Sequence, residues 1–324
     1  MDIERRRVLA TIASLSAAAP YGSLLAADPF PTKPLRLVVP FIAGGSNDIV
    51  ARYLGQRLSE RVRQSVVVDN KAGANSIIGS QFVAEAPADG HTLLIISNAF
   101  TTNPAAYKKL PYDPIKDFTP ICTIGTGPNV IAVWPGLGVN SISELIALAK
   151  TTPLNYASSG LGGVHHFTGE LFKAAAGMEM THIAFRGAGQ GLLAVMGGQV
   201  QVLVNTVVSA LPNIRSGKLK ALAVDSPTRI SILPDVPSLS ETFPGYEGNP
   251  VWWAILGPAN MAPPVVDYLN REFNAILKEP EVVNWLRGMS SEPLVAPPSA
   301  LAKRLENEIR KYQTIATKSN IKIE

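Results

Sequence analysis

Blocks of apolar and polar residues predict a strand–helix–strand order in the first third of the chain. Residues 35–39 form a short β-branched run that ends at Pro40, which is typical of a strand. A helix is predicted to begin with Ser46 as its N-cap, just after Gly44-Gly45. Its buried stripe repeats every four residues, at Val50, Leu54, Leu58 and Val62. Strands at 66–68 and 92–96, with a helix through 77–83 between them, complete the pattern of a parallel sheet with helices on its faces.

The same alternation resumes after residue 128. The predicted strands span residues 129–134, 154–157, 181–185, 200–205 and 219–224, with helices at 141–148, 164–176 and 192–196. Residues 226–250 are rich in proline and turn residues and predict a connector. A strand at 251–256 follows, and helices are predicted at 265–277, 281–287 and 299–316.

Three glycine-rich loops lie between a predicted strand and a predicted helix. They contain Gly44-Gly45, residues 158–163 and residues 186–191. Ligands of open α/β sheets bind at such positions, and the unpaired N–H groups of helix N-termini favour anions. We therefore expect a carboxylate site at these loops, with Gly45 in a left-handed conformation that only glycine adopts easily. Each loop considered alone is also explained as an ordinary turn.

Composition narrows the class of protein. A length of 324 residues predicts two domains, and 46% hydrophobic with 17% charged residues excludes disorder for most of the chain. The net charge of +4 is dispersed rather than clustered on one face, so we expect no nucleic-acid partner. Cys122 is the single cysteine, which excludes an intrachain disulfide, a cysteine-based zinc site and an iron–sulfur cluster.

Residues 1–27 have the pattern of a signal peptide. Arg5-Arg6-Arg7 precedes a run of twelve residues, 8–19, that is rich in Ala, Leu and Ile. As a helix this run spans about 18 Å, too short for a hydrocarbon core of about 30 Å. We expect cleavage after Ala26 or Ala27 and a periplasmic mature protein. The sequence leaves open whether the twin-arginine or the general route is used, and an uncleaved anchor is the alternative.

Sequence motifs of enzymes are missing. The chain has no G-x-S-x-G elbow, no phosphate loop and no H-E-x-x-H pattern, so we expect no cofactor and no metal. His165 and His166 point about 100° apart on a helix and make a poor metal pair. His165 either faces a ligand or is a polar residue at a helix start. Arg186 either meets a carboxylate or is solvated, and Trp252 and Trp253 are predicted on opposite faces of a strand, with at least one in the core.

Ten segments of the chain resemble one known family. They are residues 31–41, 44–48, 88–94, 107–114, 117–118, 154–158, 169–172, 197–201, 217–224 and 233–237. Together they make the chain similar to the extracytoplasmic solute receptors of tripartite tricarboxylate transporters, often called Bug or TctC-like receptors.

The resemblance implies an α/β, two-lobed Venus-flytrap fold of the type II periplasmic binding proteins. Each lobe is then a mainly parallel sheet flanked by helices, with two crossover segments. Lobe 1 is expected at 28–127 plus 251–324 and lobe 2 at 128–250. The implied function is capture of a small organic carboxylate, a di- or tricarboxylate or an aromatic acid, for delivery to membrane subunits of the transporter. We expect a monomer. The alternatives are a receptor that serves a signalling partner, and a serine hydrolase using Ser46 or Ser159, which the absence of a placed histidine base disfavours.

The residues predicted to bind the ligand come from the loops and from the resemblance. They are Phe41, Gly44, Gly45, Ser46, Asn47, Asp48, Ser97, Asn98, Ser158, Ser159, Gly160, His165, Arg186, Gly187, Ala188, Gln190 and Asn205. The chain departs from the family pattern where Ile42-Ala43 replaces a usual Pro-Pro and Asn205-Thr206 replaces a common Asp-Asn. Asn47 also stands where Ser or Thr is common. The particular carboxylate therefore cannot be taken over from a relative.

Overall fold

The computed structural model describes residues 30–185, 187–246 and 248–318. The predicted signal peptide and Arg186 lie outside the described residues. The strands form two sheets, and each sheet with its helices makes one lobe. Within the described residues, no helix is both long enough and apolar enough to cross a membrane.

Lobe 1 contains a six-stranded sheet. Its strands are β1 (Leu35–Val39), β2 (Val66–Asn70), β3 (Thr92–Ser97), β4 (Phe118–Gly127), β10 (Val251–Pro258) and β11 (Glu292–Pro293), in the order β11-β4-β10-β3-β1-β2. Its helices are α1 (Ser46–Val62), α2 (Ile77–Ala84), α3 (Asn98–Ala106), α9 (Pro263–Ile276), α10 (Pro280–Gly288) and α11 (Pro298–Lys318).

Lobe 2 contains a five-stranded sheet. Its strands are β5 (Asn129–Val133), β6 (Asn155–Ser158), β7 (Thr181–Ala184), β8 (Val202–Thr206) and β9 (Lys220–Asp225), in the order β7-β6-β8-β5-β9. Its helices are α4 (Ile142–Ala149), α5 (Val164–Ala176), α6 (Ala188–Met196), α7 (Val207–Arg215) and α8 (Leu239–Thr242).

Most strands of each sheet run in one direction, as expected, and in each lobe a strand that comes from the other lobe runs against them. In lobe 1, β10 is inserted antiparallel between β3 and β4, and in lobe 2, β5 is inserted antiparallel between β8 and β9. Each inserted strand arrives directly from the other lobe. It enters at the end of the sheet where the chain crosses and must run away from that end, whereas helix-connected neighbours run towards it.

The chain passes between the lobes at Gly127–Asn129 and again at Asn249–Val251. We call the end of each sheet next to these two segments its crossing end. Because β3 is antiparallel to β10, it ends at the crossing end, and so does β1, which is parallel to β3. In lobe 2, Asn129 pairs with Thr206, so β8 ends there, as do β6 and β7. The loops after β1, β3, β6, β7 and β8 therefore all lie at the crossing ends.

Both faces of each sheet are covered by apolar side chains. Trp253 belongs to the core under α1 and α9, whereas Trp252 belongs to the core under α2, α3 and α11. Both indoles are buried, which confirms that they lie on opposite faces of one strand. The last helix also reaches lobe 2, where Tyr312 packs edge-on against Phe167 of α5 with ring centroids 4.9 Å apart. This contact joins the lobes beside the two crossings.

Candidate ligand-binding cleft

The first predicted binding loop joins β1 to α1 in lobe 1. Gly44 adopts φ +81°, in the left-handed region that glycine favours. Gly45 has φ −77°, so the expectation of a left-handed Gly45 is wrong, and the left-handed residue is the preceding Gly44. Gly45 rather than Ser46 caps the helix, and no side chain closes this N-terminus. The first N–H groups of α1 therefore have no partner within the helix.

Asp48 holds this loop in shape. Its carboxylate accepts hydrogen bonds from the Gly44 N–H at 2.9 Å, from Arg52 Nε at 3.0 Å and from Asn70 Nδ2 at 2.9 Å. Asn70 also donates to the carbonyl of Phe41 at 3.1 Å. Burial raises the pKa of the Asp48 carboxyl, but these hydrogen bonds outweigh it and hold the pKa below its usual value. Asp48 thus positions the loop, and its carboxylate is paired with donors of the loop, of α1 and of β2.

Ser97 and Asn98 link this loop to the crossings. Asn47 Nδ2 lies 3.3 Å from Ser97 Oγ, which ties the first turn of α1 to the end of β3. The buried Asn98 donates to the Pro250 carbonyl at 3.0 Å and to Tyr312 Oη at 3.1 Å, and its Oδ1 accepts the Trp252 N–H. The amide of Asn98 is therefore fully used at the return crossing.

In lobe 2 the loop 158–163 rests on a stack of three rings. His166 and His182 stack with centroids 3.8 Å apart, and Tyr156 lies 4.9 Å beyond His182. His182 Nε2 is 2.6 Å from Ser158 Oγ, and His166 Nδ1 accepts the Gly162 N–H at 3.1 Å. Burial lowers the pKa of His166 to about 4 and of His182 to about 3, so both rings are neutral at pH 7.

His165 and Ser159 form a second pair in the same loop. Ser159 Oγ lies 2.6 Å from His165 Nδ1, while the buried His165 Nε2 has no hydrogen-bond partner. Burial lowers the pKa of His165 to about 4. The structure thus places a histidine beside Ser159, contrary to the expectation that no base is placed there. Among the described residues, no group of three His, Cys, Asp or Glu side chains could hold a metal ion.

The third loop leads from β7 into α6. Gly187 adopts φ +111°, and α6 begins at Ala188 rather than at the predicted residue 192, so Gln190 lies in its first turn. The buried Asn205, near the end of β8, donates to the Ala188 carbonyl at 3.2 Å. Its Oδ1 accepts the Thr206 N–H at 2.8 Å. Asn205 therefore fixes the start of α6.

The predicted residues come together in part. Most of them lie at the crossing ends of the two sheets. In lobe 1 these are Phe41–Asp48 and Ser97, and in lobe 2 they are Ser158–Gly160, His165, Gly187, Ala188 and Asn205. Val164, which precedes His165, packs against the core of lobe 1, as does Phe41. The first turn of α5 therefore faces the other lobe.

Sequence reasoning missed the residues that support the loops. Hydrogen bonds to the predicted Asp48 and Ser158 come from Asn70, Arg52 and His182, and His166 accepts the N–H of Gly162 in the predicted loop 158–163. Asn70 could have been found, because it ends the strand that pairs with β1 in parallel register, opposite Val39. The supporting role of the two histidines depends on ring stacking between residues of different elements and has no local signal.

Comparison with known proteins identifies the family. A family model described as the tripartite tricarboxylate transporter family receptor matches residues 50–321. The protein BugT of Bordetella pertussis is 32% identical over 322 residues, which cover 98% of this chain and 98% of BugT.

Two solved structures from Rhodopseudomonas palustris share the fold. Rpa4515 with adipate is 33% identical, with a TM-score of 0.85, and the match covers 91% of this chain and 100% of that chain. MatC (Rpa3494) with bound malate is 29% identical, with a TM-score of 0.79, and covers 88% of this chain and 99% of that chain. The family and its structural neighbours are periplasmic solute-binding proteins and not enzymes. This chain, with its two α/β lobes joined by two crossings, belongs to the receptor family of the tripartite tricarboxylate transporters.

Proposed function

We propose that this protein captures a small organic carboxylate between its lobes and delivers it to the membrane subunits of a tripartite tricarboxylate-type transporter. The observation that carries the proposal is the set of helices α1, α5 and α6, which all begin at the crossing ends after glycine-bearing loops. Each helix N-terminus stabilises a nearby anion by about 0.3–1 kcal/mol. The adipate and malate in the two R. palustris structures support this ligand class.

Charge in the loops agrees with an anionic ligand. Asp48, in the first turn of α1, is bonded to Arg52 and to the Gly44 N–H of the preceding loop, so its carboxylate offers little repulsion to an incoming acid. We propose that Arg186, at the third loop, adds a positive charge to the site. Backbone N–H groups and this single cation would orient a carboxylate without a clamp of several arginines.

Apolar side chains in two of these loops and at the start of α1 favour a ligand with a hydrocarbon body. Ile42 is 72% exposed, and Ile49 and Leu161 are 46% and 45% exposed. Large apolar side chains left open beside polar donors are typical of pockets that bind amphipathic molecules. We therefore propose aliphatic dicarboxylates or aromatic acids before densely hydroxylated acids.

The proposal is tested by comparing acids with their neutral counterparts. Adipate, malate and benzoate should raise the melting temperature, because a ligand at 100 times its Kd adds about 2.7 kcal/mol to stability. Adipamide, malamide and benzamide should not. Equal shifts for acid and amide would contradict recognition of the anion.

Export and assembly belong to the same proposal. We propose that residues 1–27 are removed during export, that the periplasmic receptor is a monomer, and that its lobes are 28–127 with 251–324, and 128–250. N-terminal sequencing of the exported protein should begin at Ala27 or Asp28, and a chain that begins at Met1 or Asp2 would contradict cleavage. Uptake of the bound acid into proteoliposomes that carry the membrane subunits should require the receptor, and receptor-independent uptake would contradict delivery.

A further inference from the structure

A buried nitrogen of His165 lacks a partner within the protein. The residue is 5% exposed, its Nδ1 lies 2.6 Å from Ser159 Oγ, and its Nε2 has no hydrogen bond. Buried polar atoms in native proteins are nearly always hydrogen-bonded, and one that is not requires an explanation. The position of this atom, in the turn of α5 that faces lobe 1 beside the loop 158–163, suggests that a bound molecule supplies the partner.

The other histidines of lobe 2 have different tasks. His166 Nδ1 and His182 Nε2 are each hydrogen-bonded to the loop, and their rings stack on one another. His166 and His182 therefore hold the loop 158–163 in place. Nδ1 of His165 contacts Ser159 of the loop, whereas Nε2 contacts no hydrogen-bonding group of the loop.

The protonation state of His165 decides what its free nitrogen can bind. Burial keeps the ring neutral at pH 7, so only one of its two nitrogens carries a proton. If Ser159 donates its hydroxyl proton to Nδ1, the ring proton is on Nε2, which is then a donor. If Nδ1 donates to Ser159, Nε2 is an acceptor. A carboxylate has only acceptor atoms, so its presence selects the Nε2–H form.

We propose that neutral His165 donates its Nε2–H to an oxygen of the ligand carboxylate, and that Ser159 holds the ring in this tautomer by donating to Nδ1. This inference rests on the proposed function. It makes His165 a specificity-determining residue that recognises an acceptor oxygen through one directed hydrogen bond rather than through charge. No proton is transferred, so the pair binds a ligand without acting as a catalytic dyad.

Substitutions that keep or remove the donor test the proposal. The probe is whichever of adipate, malate and benzoate binds the wild-type protein most tightly by calorimetric titration. His165→Phe keeps a ring without a donor and should weaken binding about 10- to 100-fold, because a hydrogen bond to a charged group is lost. His165→Gln places an amide N–H near the position of Nε2 and should restore most of the affinity, whereas His165→Asn reaches only the Nδ1 position and should not.

A matched control comes from lobe 1. His91 is also buried with both ring nitrogens without hydrogen bonds, but it precedes β3, at the end of the sheet away from the crossings, beside Phe30. His91→Phe should therefore leave the affinity unchanged. Equal affinity of wild type and His165→Phe would overturn the inference and leave the proposed function standing. Absence of binding by all three acids to the wild-type protein would overturn both.

A spectroscopic measurement tests the tautomer of His165 directly, without replacing the histidine. In 15N spectra of the histidine-labelled wild-type protein, His165 should be in the Nε2–H form when the probe is bound, with Nδ1 unprotonated. Ser159→Ala should reduce the fraction of that tautomer. An Nδ1–H form or an imidazolium in the complex would overturn the proposal even if the affinity of His165→Phe falls.

Discussion

Asp48 shows how a carboxylate can serve a loop that we propose binds another carboxylate. Its oxygens accept one backbone and two side-chain donors, and the pKa of the carboxyl lies below its usual value. Because the charge is satisfied inside the loop, Asp48 shapes the N-terminus of α1 instead of repelling the ligand. Gly44 contributes the left-handed residue at which the loop turns, with φ +81°.

Asp48→Asn should weaken both the loop and the ligand affinity. The neutral amide cannot accept all three hydrogen bonds, so we expect stability to fall by about 1–3 kcal/mol and adipate affinity to fall at least about 10-fold. Chemical denaturation and calorimetric titration measure the two effects. Asp113→Asn is the matched control, because Asp113 accepts the Ile115 and Lys116 N–H groups before β4, far from the crossings. A loss of affinity in Asp113→Asn as large as in Asp48→Asn would count against a local role.

Gly44 and Gly45 should respond differently to a side chain. A Cβ on Gly44 would meet no atom within 4 Å, so Gly44→Ala costs only the strain of a left-handed residue, about 1–2 kcal/mol of stability. A Cβ on Gly45 would lie 3.5 Å from the Ile42 carbonyl, an ordinary contact at an ordinary φ. Gly45→Val should therefore fold normally and lose ligand, because its side chain fills the space over the α1 N-terminus. Normal affinity of Gly45→Val in titrations would remove this loop from the site.

At the scale of elements, the end of β6 and the start of α5 are both held by one pair of stacked histidines. Ser158, at the end of β6, is bonded to His182, near the start of β7, and Gly162, before α5, is bonded to His166. The stacked rings of His166 and His182 couple the two contacts. This support requires neutral rings, since two adjacent imidazolium ions would repel each other in a buried site.

Lobe 2 should consequently lose stability on acidification. Burial lowers the pKa of His166 to about 4 and that of His182 to about 3, whereas an unfolded histidine titrates near 6.5. Between these values the unfolded chain binds more protons, so stability is complete above about pH 6.5 and falls below it. Each fully buried ring contributes at most about 1.4 kcal/mol per pH unit, and less where it is partly exposed.

His182→Gln isolates this effect in denaturant titrations at pH 7.5 and pH 5. Whatever its stability at pH 7.5, the variant should lose less stability on acidification than the wild type, because one titrating ring is gone. Ser158→Ala removes the hydrogen-bond partner but keeps the ring, so its pH dependence should stay close to that of the wild type. Identical pH slopes in His182→Gln and the wild type would show that this ring does not titrate as proposed.

The whole molecule is joined by a buried polar cluster at the two crossings. We call it the crossing network, and its members are Asn98, Asn129, Thr168, Asp225, Asn249 and Tyr312. Asn129 Nδ2 donates to the Asn249 carbonyl at 2.8 Å, and Asn249 Nδ2 donates to Thr168 Oγ1 at 3.0 Å. The carboxylate of Asp225 accepts the Asn249 N–H, and burial raises its pKa. The network ties both crossings to α5 and α11.

Tyr312→Phe should destabilise the protein without touching the loops. The hydroxyl donates to Asn249 Oδ1 at 2.8 Å and accepts from Asn98 Nδ2 at 3.1 Å, so its loss removes the donor to Asn249 Oδ1 and one of the two acceptors of Asn98 Nδ2. We expect a decrease of about 1–3 kcal/mol in the free energy of unfolding. Tyr107→Phe, at the far end of α3, removes a hydroxyl outside the network and should have a smaller effect. A near-neutral Tyr312→Phe would contradict a stabilising role of this hydroxyl in the crossing network.

Local pattern was sufficient for much of the fold. The strand at Leu35–Val39, the helix stripe of α1 and the helix at Val164–Ala176 were predictable, because periodicity and glycine positions report on neighbouring residues. Three of the described helices escaped prediction. α3 and α7 contain Pro104 and Pro212, and proline normally indicates a helix end. The short α8 lies in the segment that was predicted as a connector. The glycine-rich loops were also visible, since each interrupts an apolar pattern between a strand and a helix.

What the local pattern could not show is which distant groups meet. Asp48 is hydrogen-bonded to Asn70, which lies 22 residues later in the sequence, and Asn98 is hydrogen-bonded to Tyr312, which lies 214 residues later. The antiparallel insertion of β10 and β5 likewise follows from the path of the chain between lobes rather than from the residues of those strands. The burial of His165 Nε2 without a hydrogen-bond partner is likewise visible only in the folded protein. These features depend on contacts between elements, where burial and hydrogen-bond geometry are set by packing and not by the residues next to each partner in the sequence.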